Sequence, residues 1–541
     1  MQGLRSKNLT SVINRLPARL SKRPAIYYHS ASGIGFEGVF ATGIFRRQLR
    51  LTKGYFTLTR FQSSTVMKNL TRIILSLLLV MAILMPSKTQ AQAEKTFAAG
   101  TETRKTGPER TGPESTVAAR HIIICLDGVG ISTINRMRAE GRFKMFRRPS
   151  YMISTFPSLT NLAMSEILEP AGARHTAGYE DNYFDLDQNR MRGGVFDRLR
   201  SSSFIRGTFR ELFDYHPSAI KSGLGYAAPP LTTYLEALSD LLRLRQKAKQ
   251  TRQPVFLAYT GATDSLAHLG GERMLRSFLK QLDETVKEIV RESAGPVTLT
   301  IFSDHGNHFR KYRRVAIKSP LGRAGFKLEQ RIKDERSVVL PQFGLVGSAV
   351  LYTNEANERR LAETLAGIAG VDFATYEKGG VVYLIGPEGE ATIEKRVERY
   401  RYKTLKGDPL ALLPIMQSLS ASGKMDADGF IADADWFAAT RDGARPDAVR
   451  RIFLGTSAGV GNRASVIVNL LDGYYTGSSM LDVFAFLQAT HGNLGQDQSY
   501  GFVMSTSLNL PLYIRAADVW KAMGHPQLRK GISQKMNAAA Q

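Results

Sequence analysis

Asp127, Thr160, Asp264, His268, Asp304, His305 and His491 are spread over more than half of the chain, and they are the residue types that hold two metal ions around a hydroxyl nucleophile. Asp264 and His268 are four apart in Asp264-Ser-Leu-Ala-His268-Leu-Gly270. In a helix this spacing puts both on one face, where they can share an ion. Asp304 and His305 are adjacent, and only a loop at a strand end turns two neighbouring side chains toward one site. Carboxylate and neutral imidazole together suit zinc, and manganese or iron less well. Each residue alone is a weak signal, because an Asp closing a strand is commonly a turn residue and a lone histidine is more often a satisfied core or surface group.

Thr160 stands in Phe156-Pro157-Ser158-Leu159-Thr160-Asn161, just before the helix-compatible stretch Leu162 to Leu168. A hydroxyl at a helix N-terminus faces backbone N–H groups that can cradle a phosphate. The alternative is that Ser158 or Thr160 is only an N-cap, with Glu166 downstream.

The elements that must position these residues are legible as apolar runs. His121-Ile-Ile-Ile-Cys-Leu126 is continuous and ends in Asp127-Gly128, the pattern of a strand buried on both faces. Val255 to Tyr259 precedes the loop with Asp264, and Val297 to Phe302 precedes Ser303-Asp304-His305-Gly306. Between them, Leu275, Phe278, Leu279, Leu282, Val286, Ile289 and Val290 recur at helical spacing. Strand, helix, strand implies a right-handed parallel crossover and an α/β sheet. From Gly347 the units shorten: Ser348 to Tyr352, a helix from Glu355 to Ile368, and Gly380 to Ile385. Ser465 to Leu471 then reads as a return to the core sheet.

A signal-peptide pattern begins at Met67, with Lys68 and Arg72 ahead of an apolar run from Ile73 to Met85 and Ala91-Gln92-Ala93 as a cleavage site. That run is shorter than the roughly 20 residues of a spanning helix, so cleavage after Ala93 is expected rather than a permanent anchor. Residues 1–66 hold eleven Lys or Arg and one acid, Glu37. They read as an upstream extension, with translation expected to start at Met67. Beyond Ala93 about +12 of the formal +25 remains, a basic balance that draws anionic partners. No RNP, zinc-finger or helix-turn-helix pattern makes nucleic acid the expected partner. The only cysteine, Cys125, lies within an apolar strand, so no intramolecular disulfide forms.

The chain is thus divided into the upstream extension (1–66), a signal peptide (67–93), a flexible linker (94–119), a catalytic α/β core in two parts (120–346 and 452–523), an inserted α+β cap (347–451) and a polar tail (524–541).

Five motifs in this order, Leu126-Asp127-Gly128, Phe156-Pro-Ser-Leu-Thr160, Asp264-x-x-x-His268-x-Gly270, Ser303-Asp304-His305-Gly306 and Thr490-His491-Gly492, resemble those of the alkaline phosphatase superfamily. Within it they are similar to the nucleotide pyrophosphatase/phosphodiesterase branch, over roughly Arg120 to Thr506. The resemblance implies a three-layer α/β/α sandwich with a mostly parallel sheet and a small inserted α+β subdomain. It also implies that Asp264, His268 and His491 hold one Zn2+, and that Asp127, Asp304, His305 and the Thr160 hydroxyl hold the other. Other divalent metals such as Mn2+ are alternatives. Thr160 would be the nucleophile, its hydroxyl pKa lowered by a metal, and two cations would clamp both apical oxygens of an in-line displacement at phosphorus. Asn161 would donate to a non-bridging phosphate oxygen, although the family usually places that asparagine slightly further from the nucleophile. No cysteine or serine stands in the x-Pro-x-Arg setting of the sulfatases.

The expected activity is therefore hydrolysis of phosphate esters, foremost phosphodiester or nucleotide pyrophosphate bonds, by an exported, periplasmic or secreted protein with no stable membrane span after cleavage. Its partner would be a small phosphate-ester or nucleotide substrate. Alternatives are an envelope phospho-transferase using the same Thr160, a phosphomonoesterase, or a non-catalytic binding protein for anionic polymers. Substrate contacts and oligomeric state are not legible. The loops 178–215 and 347–451 would set specificity, with Tyr179, Tyr183 and Phe184 either stacking on a base or packing locally, and His308 either touching substrate or serving as a polar loop residue.

Overall fold

The computed structural model describes residues 120–173, 175–193, 209–216, 230–293, 295–342, 344–478 and 487–524. The expected extension, signal peptide and linker, most of the tail and part of the 178–215 loop lie outside the described residues. All described residues belong to one compact unit, Gly112–Gln541.

The expected apolar runs become the strands of a six-stranded sheet. Arg120–Leu126 pairs in parallel with the edge strand Val255–Thr260 on one side and Val297–Phe302 on the other, with His121 opposite Val255 and Cys125 opposite Phe302. Beyond Val297–Phe302 follow Tyr500–Ser505, Ser150–Ile153 and Tyr513–Arg515. Tyr500–Ser505 is antiparallel to both of its neighbours, and the other five strands share one direction. The continuous Ile122 to Leu126 run is explained by burial on both faces. Ile122, Ile124 and Leu126 pack with the helices Ile131–Ala139, Pro230–Gln250 and Gly271–Arg291. Ile123 and Cys125 pack with Thr160–Leu168 and Ala516–Ala522 on the opposite face. This is the three-layer α/β/α arrangement. The Gly271–Arg291 helix turns Leu275, Phe278, Leu279, Leu282, Val286 and Ile289 into the core, each worth about 1.5–3 kcal/mol of transfer free energy when fully buried.

The second sheet is antiparallel throughout its seven strands, in the order Ser348–Leu351, Val466–Leu470, Val371–Lys378, Val381–Gly386, Gly389–Arg396, Arg399–Gly407 and Ile431–Ala432. Val466–Leu470, expected in the α/β core, instead lies between Ser348–Leu351 and Val371–Lys378 in this sheet. Its all-apolar run suits any strand covered on both sides, and only the partners decide which sheet receives it. Here one cover is the Glu358–Ala366 helix, through Leu361 and Leu365, and the other includes Ala448–Ser457, through Val449 and Ile452.

The two sheets meet where Ala448–Ser457 crosses the segment before Thr160. A Cβ on Gly455 would overlap the carbonyl oxygen of Phe156 and stand 2.8 Å from its carbon. A backbone group cannot swing aside as a side-chain tip can, so overpacking is expected to cost about 1–3 kcal/mol. Gly455→Ala should lower the unfolding free energy, measured by urea titration, by that amount. The control Gly367→Ala, whose Cβ meets nothing closer than the Thr364 carbonyl oxygen at 3.7 Å, should stay within about 0.5 kcal/mol of the parent.

Candidate metal centre

The core strands deliver the acidic residues to one edge. Asp127 follows the Arg120–Leu126 strand, its backbone N–H donating to the Thr260 carbonyl at 3.1 Å. The chain then reverses through Gly128, at φ +64°, where an added Cβ would lie 2.6 Å from Asp264 Oδ1. Only glycine meets both demands at this position. The Gly128 N–H donates to Asp304 Oδ1 at 3.1 Å and the Val129 N–H to Ser303 Oγ at 2.9 Å, which ties the first strand end to the second. Asp264 lies in the short helix Ala262–Ser265 and His268 in the π-helical turn Leu266–Gly270 that follows, with His268 Nε2 3.2 Å from Asp264 Oδ1. His491 follows the Ala489–Thr490 strand, which pairs with His308–Phe309.

The seven expected residues converge. Asp264, His268 and His491 each offer one ligand atom within 4.8 Å of the others, and so do Asp127, Asp304 and His305; all six are buried. His305 and His491 stack across the two groups, ring centroids 3.9 Å apart. His491 Nδ1 is 2.8 Å from the Ser158 carbonyl and His305 Nδ1 is 3.0 Å from that of Gly306. A ring nitrogen facing a carbonyl must carry the proton, so both Nε2 atoms present lone pairs to the groups, the form a metal requires.

Electrostatics point the same way. Burial, then the charges of Asp304 and Asp264, pushes the Asp127 carboxyl well above the usual carboxylate range. Burial raises Asp304 to about 7, and lowers His305 to about 4 and His491 to about 3. Asp264 moves well below the ordinary value because His268 and His491 outweigh its burial. Asp304 Oδ2 is buried with no hydrogen-bond partner among the described residues, 3.4 Å from His305 Nε2. Desolvated carboxylates crowded beside neutral imidazoles are relieved by cations, and donor sets of oxygen and imidazole nitrogen fit zinc or similar divalent ions.

Thr160 is the first residue of the Thr160–Leu168 helix, entered from an extended Leu159 at φ −122°, ψ 141°. Its hydroxyl does not cap. It donates to Asp127 Oδ1 at 3.1 Å and lies 3.2 Å from His305 Nε2. Ser158 does not cap either, because its hydroxyl meets the carbonyls of Thr155 and Asn493 at 3.1 and 3.2 Å.

Asn161 is turned toward Asp181 Oδ1, at 3.1 Å, and Asp181 also meets Arg210 at 3.3 Å. His308 is held by Asp472 at 2.9 Å, outside both metal-binding groups. Tyr179, Tyr183 and Phe184 are 1%, 7% and 1% exposed, so they pack locally and cannot stack on a substrate base.

Two supporting residues escaped the sequence reading. The Tyr259 hydroxyl donates to Asp127 Oδ2, and burial together with the Asp127 charge keeps that phenol protonated. Asn307 Nδ2 donates to the Gly128 carbonyl at 2.9 Å and to Asp264 Oδ1 at 3.1 Å. Their available signal was position alone, one at the end of its strand and the other just after Gly306.

No family model and no curated protein sequence matches the chain. Among solved structures it is similar to human ectonucleotide pyrophosphatase/phosphodiesterase 5, at 10% identity over 75% of this chain and 94% of that one, with a TM-score of 0.43. The murine protein gives 10% identity over the same shares and a TM-score of 0.41. Phosphonoacetate hydrolase from Sinorhizobium meliloti gives 13% identity over 76% of this chain and 96% of that one, with a TM-score of 0.42. Likeness of this extent leaves the chemistry to the geometry of the site.

Because Asn307 orients Asp264 without belonging to either group, Asn307→Ala should weaken zinc binding about 10–100-fold with little loss of fold, as seen by zinc titration against a chelating dye and by circular dichroism.

Proposed function

We propose that this chain is a metal-dependent hydrolase of phosphate esters with Thr160 as nucleophile and two divalent cations, foremost Zn2+, as cofactors. The observation that carries this reading is the Thr160 hydroxyl at a helix N-terminus, 3.1 Å from Asp127 of one three-residue group and beside His305. Asp127, Asp304 and His305 would hold one cation with Thr160, and Asp264, His268 and His491 the other. Bound there, the cations would supply Lewis acidity that favours loss of the hydroxyl proton and offsets phosphoryl charge.

The chain's own groups account for the rest of the reaction. Asp127 Oδ1 is the carboxylate oxygen within reach of the Thr160 proton, whereas His305 Nε2, 3.2 Å from the hydroxyl, offers the lone pair a cation would take. Attack of Thr160 Oγ1 on phosphorus forms the O–P bond as the ester oxygen departs, leaving phospho-threonine. Water then attacks that phosphorus, the Thr160 oxygen leaves, and the enzyme is restored. The first N–H groups of the Thr160–Leu168 helix have no carbonyl of their own turn to meet, so they favour an anionic oxygen next to Thr160. With its amide engaged by Asp181, Asn161 reaches a substrate oxygen only by leaving that carboxylate. A diester or nucleotide pyrophosphate is the substrate class we favour, carried over from the motif resemblance.

We also read the Met67 to Ala93 pattern as an export signal. Among the described residues no helix is long and apolar enough to cross a membrane.

Three measurements test the reading. Hydrolysis of p-nitrophenyl thymidine monophosphate should exceed that of p-nitrophenyl phosphate, and Thr160→Ala should reduce it at least about 10^3-fold. Preference for the monoester would move the assignment to phosphatases, and turnover only with an added alcohol acceptor would move it to a transferase. Chelation should abolish turnover and lower the melting temperature, both restored by zinc, because a ligand that binds only the native state stabilises it. N-terminal sequencing of exported protein should begin at Glu94.

A further inference from the structure

Arg451 is 2% exposed and lies on the Ala448–Ser457 helix, which covers the second sheet, yet its guanidinium reaches the core. Burial lowers it only to about 10, so it stays charged at neutral pH. Among the described residues it makes no direct ion pair. Its charge is met instead by the carbonyl of Pro446 through Nη1 at 2.8 Å, and through Nη2 by the Thr155 carbonyl at 2.7 Å, Ser158 Oγ at 3.1 Å and Ser499 Oγ at 2.9 Å. The Asp447 and Glu166 carboxylates act on it only at longer range, and a desolvated cation hydrogen-bonded to neutral acceptors adds little net stability compared with an apolar side chain of similar size. What the planar fork does supply is geometry.

The three Nη2 acceptors flank Thr160 and His491 in the chain. Ser158 precedes Thr160 by two residues, and its backbone N–H donates to the Gly492 carbonyl at 3.3 Å. Its carbonyl accepts from His491 Nδ1, and its hydroxyl donates to the Asn493 carbonyl. Ser499 Oγ in turn donates to the Leu494 carbonyl at 3.1 Å. Thr160 stands with one metal-binding group and His491 belongs to the other, so the register between these loops sets the register between the groups.

We propose that Arg451 is a positioning residue that fixes this register, holding Ser158 so that Thr160 and His491 keep their places; it rests on the two-metal reading above. A lysine would restore the charge without the fork.

The test compares full-length Arg451→Met, Arg451→Lys and Ser158→Ala with the parent, measuring zinc affinity by competition with a chelating dye, kcat and KM on p-nitrophenyl thymidine monophosphate, and the circular dichroism spectrum. Arg451→Met is expected to lose about 10^2-fold in kcat with KM within about 3-fold, the scale of a misplacement near 1 Å. Its weaker zinc equivalent should loosen by about 10-fold or more. Arg451→Lys should not recover kcat, and Ser158→Ala, which leaves Arg451 its other acceptors, should lose about 10-fold. Parental zinc affinity and kcat in Arg451→Met, or full kcat in Arg451→Lys, would overturn the proposal. If Arg451→Met does not fold, Ser158→Ala decides by the same criteria. If the parent hydrolyses no ester, the phosphoesterase reading fails and zinc affinity alone decides the positioning role. A parent that binds no zinc overturns both.

Discussion

Six ionisable side chains from four separate loops are buried within a few ångströms of one another, and this concentration of desolvated charge is what the rest of the structure has to accommodate. Burial disfavours the charged forms there, which is why Asp127 and Asp304 are pushed up, further so by neighbouring carboxylates, and His305 and His491 are pushed down. Each of the two buried groups has a donor set that could hold a metal ion, and a bound cation would offset this repulsion.

Holding that site needs rigid delivery. Asp127 and Asp304 follow the ends of hydrogen-bonded parallel strands, and Asp264 lies in the turn after a third, so their spacing is inherited from the sheet register. The connecting bonds are mutual: Gly128 donates to Asp304, Asn307 donates to Asp264 and to the Gly128 carbonyl, and Tyr259 donates to Asp127. Each of the three carboxylates is thus oriented by a neighbour from another strand end. This leaves the carboxylates few alternative rotamers and lowers the entropy lost when an ion is bound.

Thr160 and His491 come from a different source. Neither follows one of the three parallel strands that deliver the carboxylates, and both depend on contacts between the core and the second sheet. Ser158 bonds to three consecutive residues of the His491 loop, counting its contacts to His491, Gly492 and Asn493, while Gly455 allows the Ala448–Ser457 helix to lie against Phe156. The second sheet is therefore a structural partner of the catalytic geometry as well as a cover beside it.

The sequence by itself determined the parallel core strands and which Asp and His residues follow their ends. A run such as Ile122 to Leu126 admits only a strand covered on both faces, and the Asp and His residues that follow such runs have no packing reason to be there. The spacing of Leu275 to Ile289 likewise left one helical face to bury. Other outcomes rested on distant contacts that local pattern does not encode. Val466–Leu470 has the composition of a core strand, and its neighbours Ser348–Leu351 and Val371–Lys378 placed it in the second sheet. Asn161 had the chemistry of a phosphate donor, but Asp181 claimed its amide. Tyr259, Asn307 and Arg451 act through hydrogen bonds spanning 132, 43 and 293 residues of sequence, to Asp127, Asp264 and Ser158. Periodicity reports which face of an element is buried; only the folded chain decides which polar groups meet there.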